Sequence, residues 1–301
     1  GYITYHTFSG VHLRPYSAHD DDHFPPRDLD AYKEIGTHAS RITGYPAVSV
    51  WHDFKYEAKQ TIKGGADDWA YEHLGVFSWT TEFWSPQRQS GLGDYHFIEW
   101  LKQHPIEDDL KLLEWNDKAL GGKGFVEWYA FEHPQLGPVE LGGWDLMYCW
   151  DNPPPEFLET EIAPHSDFAV FHALISPRLE LRALEQERVG EDTTRVRLIV
   201  ENNGWLPTNV SEKAVERRIV RELEAEIVLP DDATLLTGKP KLELGQLAGR
   251  SGKRSMLWWG NDESTKDRAK IEWVVRAPGG GTASIEVRHQ RAGVVRAEIE
   301  L

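Results

Sequence analysis

"GGADDWAYEHLGVFSWTTEFW", residues 64–84, runs from a glycine turn through a short acidic and aromatic segment into Val76–Phe83, whose aromatics and threonines read as a strand. One carboxylate, Glu82, stands in that strand among Trp79, Phe83 and Trp84. An ionised side chain buried without a partner loses several kcal/mol of hydration. Glu82 is therefore paired, exposed at the strand's end, or functional. Around this stretch, residues 2–8 read as a buried strand on Tyr2, Ile3, Tyr5 and Phe8. Leu29, Tyr32, Ile35, Ala39 and Ile42 recur at helical spacing up to the stop signal Gly44, and Ala47–Trp51 reads as another short strand. Strand, helix, strand, strand predicts an α/β unit over residues 1–150, built as a mixed sheet with flanking helices.

Further along, Pro105 opens a helix with Ile106, Leu110 and Leu113 as its apolar stripe, which runs out by Gly121 and Gly122. Residues 124–150 read as hairpin strands rich in Trp. "DNPPPE", residues 151–156, predicts a stiff connection, and a short helix capped by Ser166 and running to Ile175 completes a linker over 151–177. From residue 178 the apolar period becomes two: Val196, Leu198 and Val200; Leu223, Ala225, Ile227 and Leu229; Ala283, Ile285 and Val287; Val295, Ala297, Ile299 and Leu301. Turn clusters at 202–204 and 278–281 separate these runs. About seven short strands predict an all-β, immunoglobulin-like sandwich over 178–301, although a small barrel gives much the same alternation.

The chain has 301 residues, enough for two ordinary cores, and two domains are expected. Its 33 Lys and Arg stand against 49 Asp and Glu, a formal charge of -16 that repels phosphate backbones and anionic membranes. No nucleic acid or membrane partner is expected. Cys149 is the sole cysteine, so neither an intrachain disulfide nor a Cys-type zinc cluster can form, and the compartment stays open. No apolar run is long enough to span a membrane, and there is no secretory leader pattern. The chain starts at Gly1 directly in strand-like sequence, so it is expected to be part of a longer polypeptide.

The opening stretch resembles the active-site segment of the zinc carboxypeptidases of the carboxypeptidase A and B family. Gly64, Gly65, Asp68, Trp69 and Tyr71, followed by Trp79, Thr80, Glu82 and Phe83, match its pattern, with the family's spacing from Asp68 to Glu82. A second segment, "YHTFSGVHLRPY" at 5–16, is similar to the family's strand that ends in the third zinc ligand. The resemblance covers about the first hundred residues. It implies a metallocarboxypeptidase that hydrolyses the C-terminal bond of a peptide or protein, with zinc as cofactor, His6 as a metal ligand and Glu82 as general base. Three protein ligands plus a water whose pKa the metal lowers, with a carboxylate to take its proton, is the chemistry such a site needs.

The remaining two ligands would come from a His-x-x-Glu segment before His6, as would the substrate-binding arginines and asparagine. The missing N-terminal half of the catalytic domain is accordingly an expected partner. "HPIE", His104–Glu107, has the spacing but lies after the catalytic strand and holds Pro105, and Glu107 reads as a favourable first-turn acid. The family's mobile tyrosine falls on Gln60 without a gap, and a local length change would make it Tyr56. Phe8 stands where the family has a tyrosine. Asp67 is either the acid at the base of a pocket that selects C-terminal Lys or Arg, as in members resembling carboxypeptidase B, or a turn aspartate. "HDDDH" at 19–23 reads as a solvated loop, Trp258 and Trp259 as core more than as a stacking surface, and Asn209-Val210-Ser211 as a glycosylation sequon. The rival to the enzyme is a non-catalytic peptidase-like scaffold or binding protein with the sandwich as its recognition module.

Overall fold

Strand β1 (Tyr2–Thr7) is followed by β2 (Val11–Arg14), α1 (Pro26–Thr43), β3 (Ala47–Ser49), α2 (Val50–Asp53), α3 (Ala66–Trp69) and β4 (Ser78–Phe83). The computed structural model describes residues 1–57, 59–93, 95–251 and 265–301; Trp258 and Trp259 lie outside the described residues. The four strands form a mixed sheet in the order β1-β4-β2-β3, with β1 parallel to β4, β2 antiparallel to β4, and β3 parallel to β2. Register sorts the two faces. Ile3, His12, Trp79 and Thr81 face α1, whose Tyr32, Ile35 and Ala39 are fully buried, while Val11, Leu13 and Glu82 face Val50, Phe54, Phe97 and Ile98.

Gly36 lets α1 close on the sheet, because a Cβ there would sit 2.8 Å from the Cβ of Ala47 and 3.0 Å from the Trp79 ring. Gly44 ends the helix in the left-handed region at φ 76°, as its place after the last apolar residue predicts. β3 is shorter than its sequence suggests, since the Ser49 hydroxyl accepts from the His52 N–H and starts α2. β1 departs further from expectation. It lies at the sheet's edge among the described residues, and Tyr5, His6 and Thr7 are exposed where a buried strand is predicted. Alternation marks a strand but not how many neighbours it has.

After β4 come α4 (Pro86–Gln89), α5 (Phe97–Lys102), α6 (Ile106–Leu120), the hairpin β5 (Phe125–His133) and β6 (Gly137–Trp144), and α7 (Pro155–Leu174). The expected stripe of α6 is wrong. Ile106 and Leu110 face solvent, and the helix buries Leu112, Trp115, Asn116 and Leu120, with Trp115 in aromatic contact with Trp84 and Phe157. The larger aromatic area decides the rotation. α7 is also longer than the helix expected at 166–175: Pro155 occupies its first turn, where a missing N–H costs nothing, and Pro164 is accommodated within it. Phe168 and Phe171 of α7 pack against Trp79 and His38.

The remaining chain is nearly all strand: β7 (Leu179–Gly190), β8 (Thr193–Asn202), the short α8 (Glu212–Glu216), β9 (Glu224–Val228), β10 (Thr234–Thr237), β11 (Lys241–Glu243), β12 (Arg268–Arg276), β13 (Thr282–His289) and β14 (Gly293–Glu300). They form two antiparallel sheets, β10-β12-β8-β7 and β11-β9-β13-β14. Val196, Leu198, Val200 and Trp273 of the first share one core with Ala225, Ile227, Ile285 and Val287 of the second. The period-two apolar positions are the ones that meet there.

A polar seam joins the two halves at the turn after α3. Arg291 donates to the carbonyls of Leu74 (2.7 Å) and Gly75 (2.9 Å), and the Ser211 hydroxyl donates to Gly75 (2.8 Å). Asp28 of α1, which is buried, accepts the Tyr71 hydroxyl at 2.6 Å and the N–H groups of Glu212 and Lys213 that open α8. Glu72 accepts from Tyr16 and pairs with Arg217. Asn209 is buried and donates to the Ser211 carbonyl, so the sequon is closed to glycosylation in the folded chain.

Candidate functional site

β1 and β4 run parallel, so His6 and Glu82, paired in register near their C-terminal ends, project on the same face. The His6 Nδ1 lies 3.7 Å from the Glu82 Oε1. The His6 ring is exposed, whereas Glu82 is only 8 % exposed, set beside Val11 and the apolar layer of Phe54 and Phe97. Its strand end is pinned by backbone: Gly10 donates to the Glu82 carbonyl at 2.9 Å and Ser9 to that of Trp84 at 2.8 Å. Burial in this apolar setting pushes the Glu82 carboxyl up to about 7. A carboxyl held there exchanges its proton near neutrality, which is what a general base and acid must do.

Tyr56 is exposed and packs against Phe54 at 6.2 Å. Burial first and the Glu82 charge second raise its hydroxyl, placing the phenol within electrostatic reach of that carboxylate. Phe8 packs edge-on against Phe97 (5.5 Å) and Trp150 (6.2 Å), so an apolar ring fills the position two residues after His6.

Asp67 sits apart from this pair, on α3. It is 4 % exposed, its carboxylate accepts the Asp68 N–H at 3.0 Å, and burial, then the Asp68 charge, push it up to about 6. Asp68 in turn accepts the N–H groups of Ser17 (2.8 Å) and Ala18 (3.3 Å), tying the loop after β2 to α3. A Cβ on Gly65 would meet both the Asp67 carboxylate and the Ser17 hydroxyl, so these groups crowd one small space. No described Lys, Arg or His forms an ion pair with Asp67.

The other polar motifs are locally engaged. Asp21 takes both guanidinium nitrogens of Arg14 (2.8 and 2.7 Å), and Asp20 bonds His23 at 2.9 Å. His104 stacks on Trp100 and is held at both ring nitrogens, by the Trp100 carbonyl and Asp109. A catalytic zinc needs three protein ligands. Among the described residues no group of three or more His, Cys, Asp or Glu is placed to hold a metal ion. One imidazole and one carboxylate, His6 and Glu82, do not by themselves fit zinc.

Sequence reasoning did not find the apolar layer around Val11, the register partner of Glu82, nor the clamp of Arg291, Ser211 and Arg217 on residues 72–75. The first signal was available in the alternation of β2. The second joins positions as far apart as 74 and 291 and leaves no local pattern.

Comparison with known proteins follows the same division. Residues 1–108 match the family model for zinc carboxypeptidase, and residues 178–300 match a domain of unknown function. No curated protein matches the chain. Among solved structures, the GAE domain of GGA2p from Saccharomyces cerevisiae aligns at 11 % identity over 42 % of this chain and 88 % of that one, with a TM-score of 0.25. Over its first 108 residues the chain is thus similar to the zinc carboxypeptidases, and His6, Tyr56, Asp67 and Glu82 all lie within the matched stretch.

Proposed function

We propose that this chain supplies the general-base portion of a zinc carboxypeptidase site acting on the C-terminus of a peptide or protein. The observation that carries the reading is Glu82: a nearly buried carboxyl raised to about 7, at the end of a parallel strand pair and beside His6. In this reading Glu82 takes a proton from the attacking water and returns it to the leaving amine. His6 serves as one metal ligand, Tyr56 reaches toward the bound substrate, and Asp67 offers its charge to a C-terminal Lys or Arg. Two further ligands, and the groups that hold the substrate's terminal carboxylate, must come from a His-x-x-Glu segment outside the described residues. The donors among the described residues do not complete a zinc shell.

The division 1–150, 151–177 and 178–301 goes with this proposal, the last part being read as an immunoglobulin-like sandwich on the strength of its two facing antiparallel sheets. Isothermal titration of the chain with zinc, alongside a C-terminal release assay, tests the ligand count: no sub-micromolar binding and no release are expected. Stoichiometric tight binding with release would mean that the ligand set is complete within these residues. In a polypeptide that also carries the His-x-x-Glu segment, Glu82→Gln is expected to lower turnover about 10²- to 10⁴-fold. Near wild-type turnover there would remove Glu82 from the mechanism. The incomplete ligand set favours a second reading, a peptidase-like scaffold that binds without cleaving.

A further inference from the structure

The β5–β6 hairpin forms a two-stranded sheet of its own. Its register places Tyr129, Phe131, Val139 and Leu141 on one face and Ala130, Glu132, Pro138 and Glu140 on the other. The apolar face is uncovered: Tyr129 is 51 % exposed and Phe131 41 %. Trp128, in the irregularity between Val126 and Tyr129, lies across Gly142 and is 61 % exposed. A two-stranded hairpin is at best marginally stable in water, and a contiguous exposed apolar face on one marks an interaction surface.

The charges around this face narrow the occupant. Glu127, Glu132 and Glu140 are exposed, and none forms an ion pair with a described residue. On the outer surface of β8 and its neighbours, by contrast, Arg195 and Arg197 are matched by Glu187, Glu185 and Glu272. Unmatched carboxylates beside an apolar strand face complement a chain that alternates basic and apolar residues. The two edges are unequal. β6 contains Pro138, which has no N–H to offer, and Gly142 and Gly143, whereas Tyr129–His133 of β5 is regular and free of both residue types.

We propose that the hairpin binds an extended peptide of alternating basic and apolar residues, added as a third strand along the outer edge of β5. Its apolar side chains lie against Tyr129 and Phe131, and its basic ones reach Glu132 and Glu140 on the opposite face. Trp144 at the hairpin's base touches Trp150, which touches Phe8, so the surface is linked to the His6 strand without including it. The proposal goes beyond catalysis and does not require it.

The test uses a fluorescein-labelled, C-terminally amidated eight-residue peptide of alternating Lys and Val, with binding to the whole chain read by anisotropy. Saturable binding is expected, weakened about tenfold or more both by Trp128→Ser/Tyr129→Ser/Phe131→Ser and by Glu127→Gln/Glu132→Gln/Glu140→Gln. The second variant keeps the apolar face, and circular dichroism checks the fold of each. Peptides with Glu in place of Lys, or N-methylated at alternate amides, are expected not to compete. Absence of saturable binding, equal binding of the Lys and Glu peptides, or unchanged affinity in both variants would overturn the proposal. Binding of the same peptide made with a free C-terminal carboxylate, absent for the amidated form and surviving both variants, would assign the peptide to the Glu82 region instead. Self-association in sedimentation that the Ser variant abolishes, without peptide binding, would assign the face to a second copy of the chain.

Discussion

The outer surface of β8, β12 and β7 and the C-terminal ends of β1 and β4 handle charge in opposite ways. In the former, arginines and glutamates alternate across strands and pair in solvent: Arg195 with Glu187, Arg197 with Glu185 and Glu272, Arg182 with Glu201. Such pairs are screened and add little to stability. In the latter Glu82, and on the neighbouring α3 Asp67, are buried without a strong cation, and burial raises both carboxyls. That arrangement costs stability, which for Asp67 the bond accepted from the Asp68 N–H offsets in part. Buried carboxyls with strongly raised pKa values mark functional positions more often than structural ones. The difference separates charge paired in solvent from charge held in the interior, where the proposed function places its chemistry.

The contrast breaks first if Glu82→Gln fails to stabilise the chain. The folded pKa near 7 lies above the ordinary glutamate value, so the folded state holds the proton more tightly and stability falls as pH rises through that window. Gln does not titrate. The variant is therefore expected to match wild type near pH 4 and to exceed it by up to about 3 kcal/mol at pH 8, read from denaturant midpoints. A loss of stability at pH 8 would show that the ionised carboxylate is satisfied in the fold.

Asp67 sharpens the contrast in an active, complete protein. Peptides ending in Arg are expected to be preferred over matched ones ending in Phe by about 1.5 to 3 kcal/mol in kcat/KM, a preference that Asp67→Ala removes. If the Arg-to-Phe ratio does not change in Asp67→Ala, Asp67 is a turn residue whose bond to the Asp68 N–H is its whole role. The smallest effect is expected at the paired surface: Arg197→Ala should leave the denaturation midpoint unchanged at ordinary salt, and a clear drop would mean that the ladder carries structure.

Much of the N-terminal half was legible because its signals are local. The glycine turn, the aromatic strand with Glu82, the α1 stripe and Gly44 each depend on residues within a turn or two of one another. The face buried by α6, the edge position of β1 and the length of α7 were not legible. The first two are fixed by partners distant in sequence, Trp115 of α6 by Trp84 and β1 by its pairing with β4. The C-terminal strands could be read from their period, but the grip of that half on residues 72–75 could not, since Ser211, Arg217 and Arg291 carry no pattern pointing to that segment. The distance between His6 and Glu82 likewise required the parallel register.

The central claim is that the fold dehydrates Glu82 beside His6 and holds its carboxyl ready to exchange a proton. A carbon-13 NMR titration of the glutamate side-chain carboxyls, with Glu82→Gln identifying the signal, measures this directly. A midpoint near 7 is expected. A midpoint near the ordinary glutamate value of about 4.3 would contradict the account, leaving Glu82 a solvated strand-end residue.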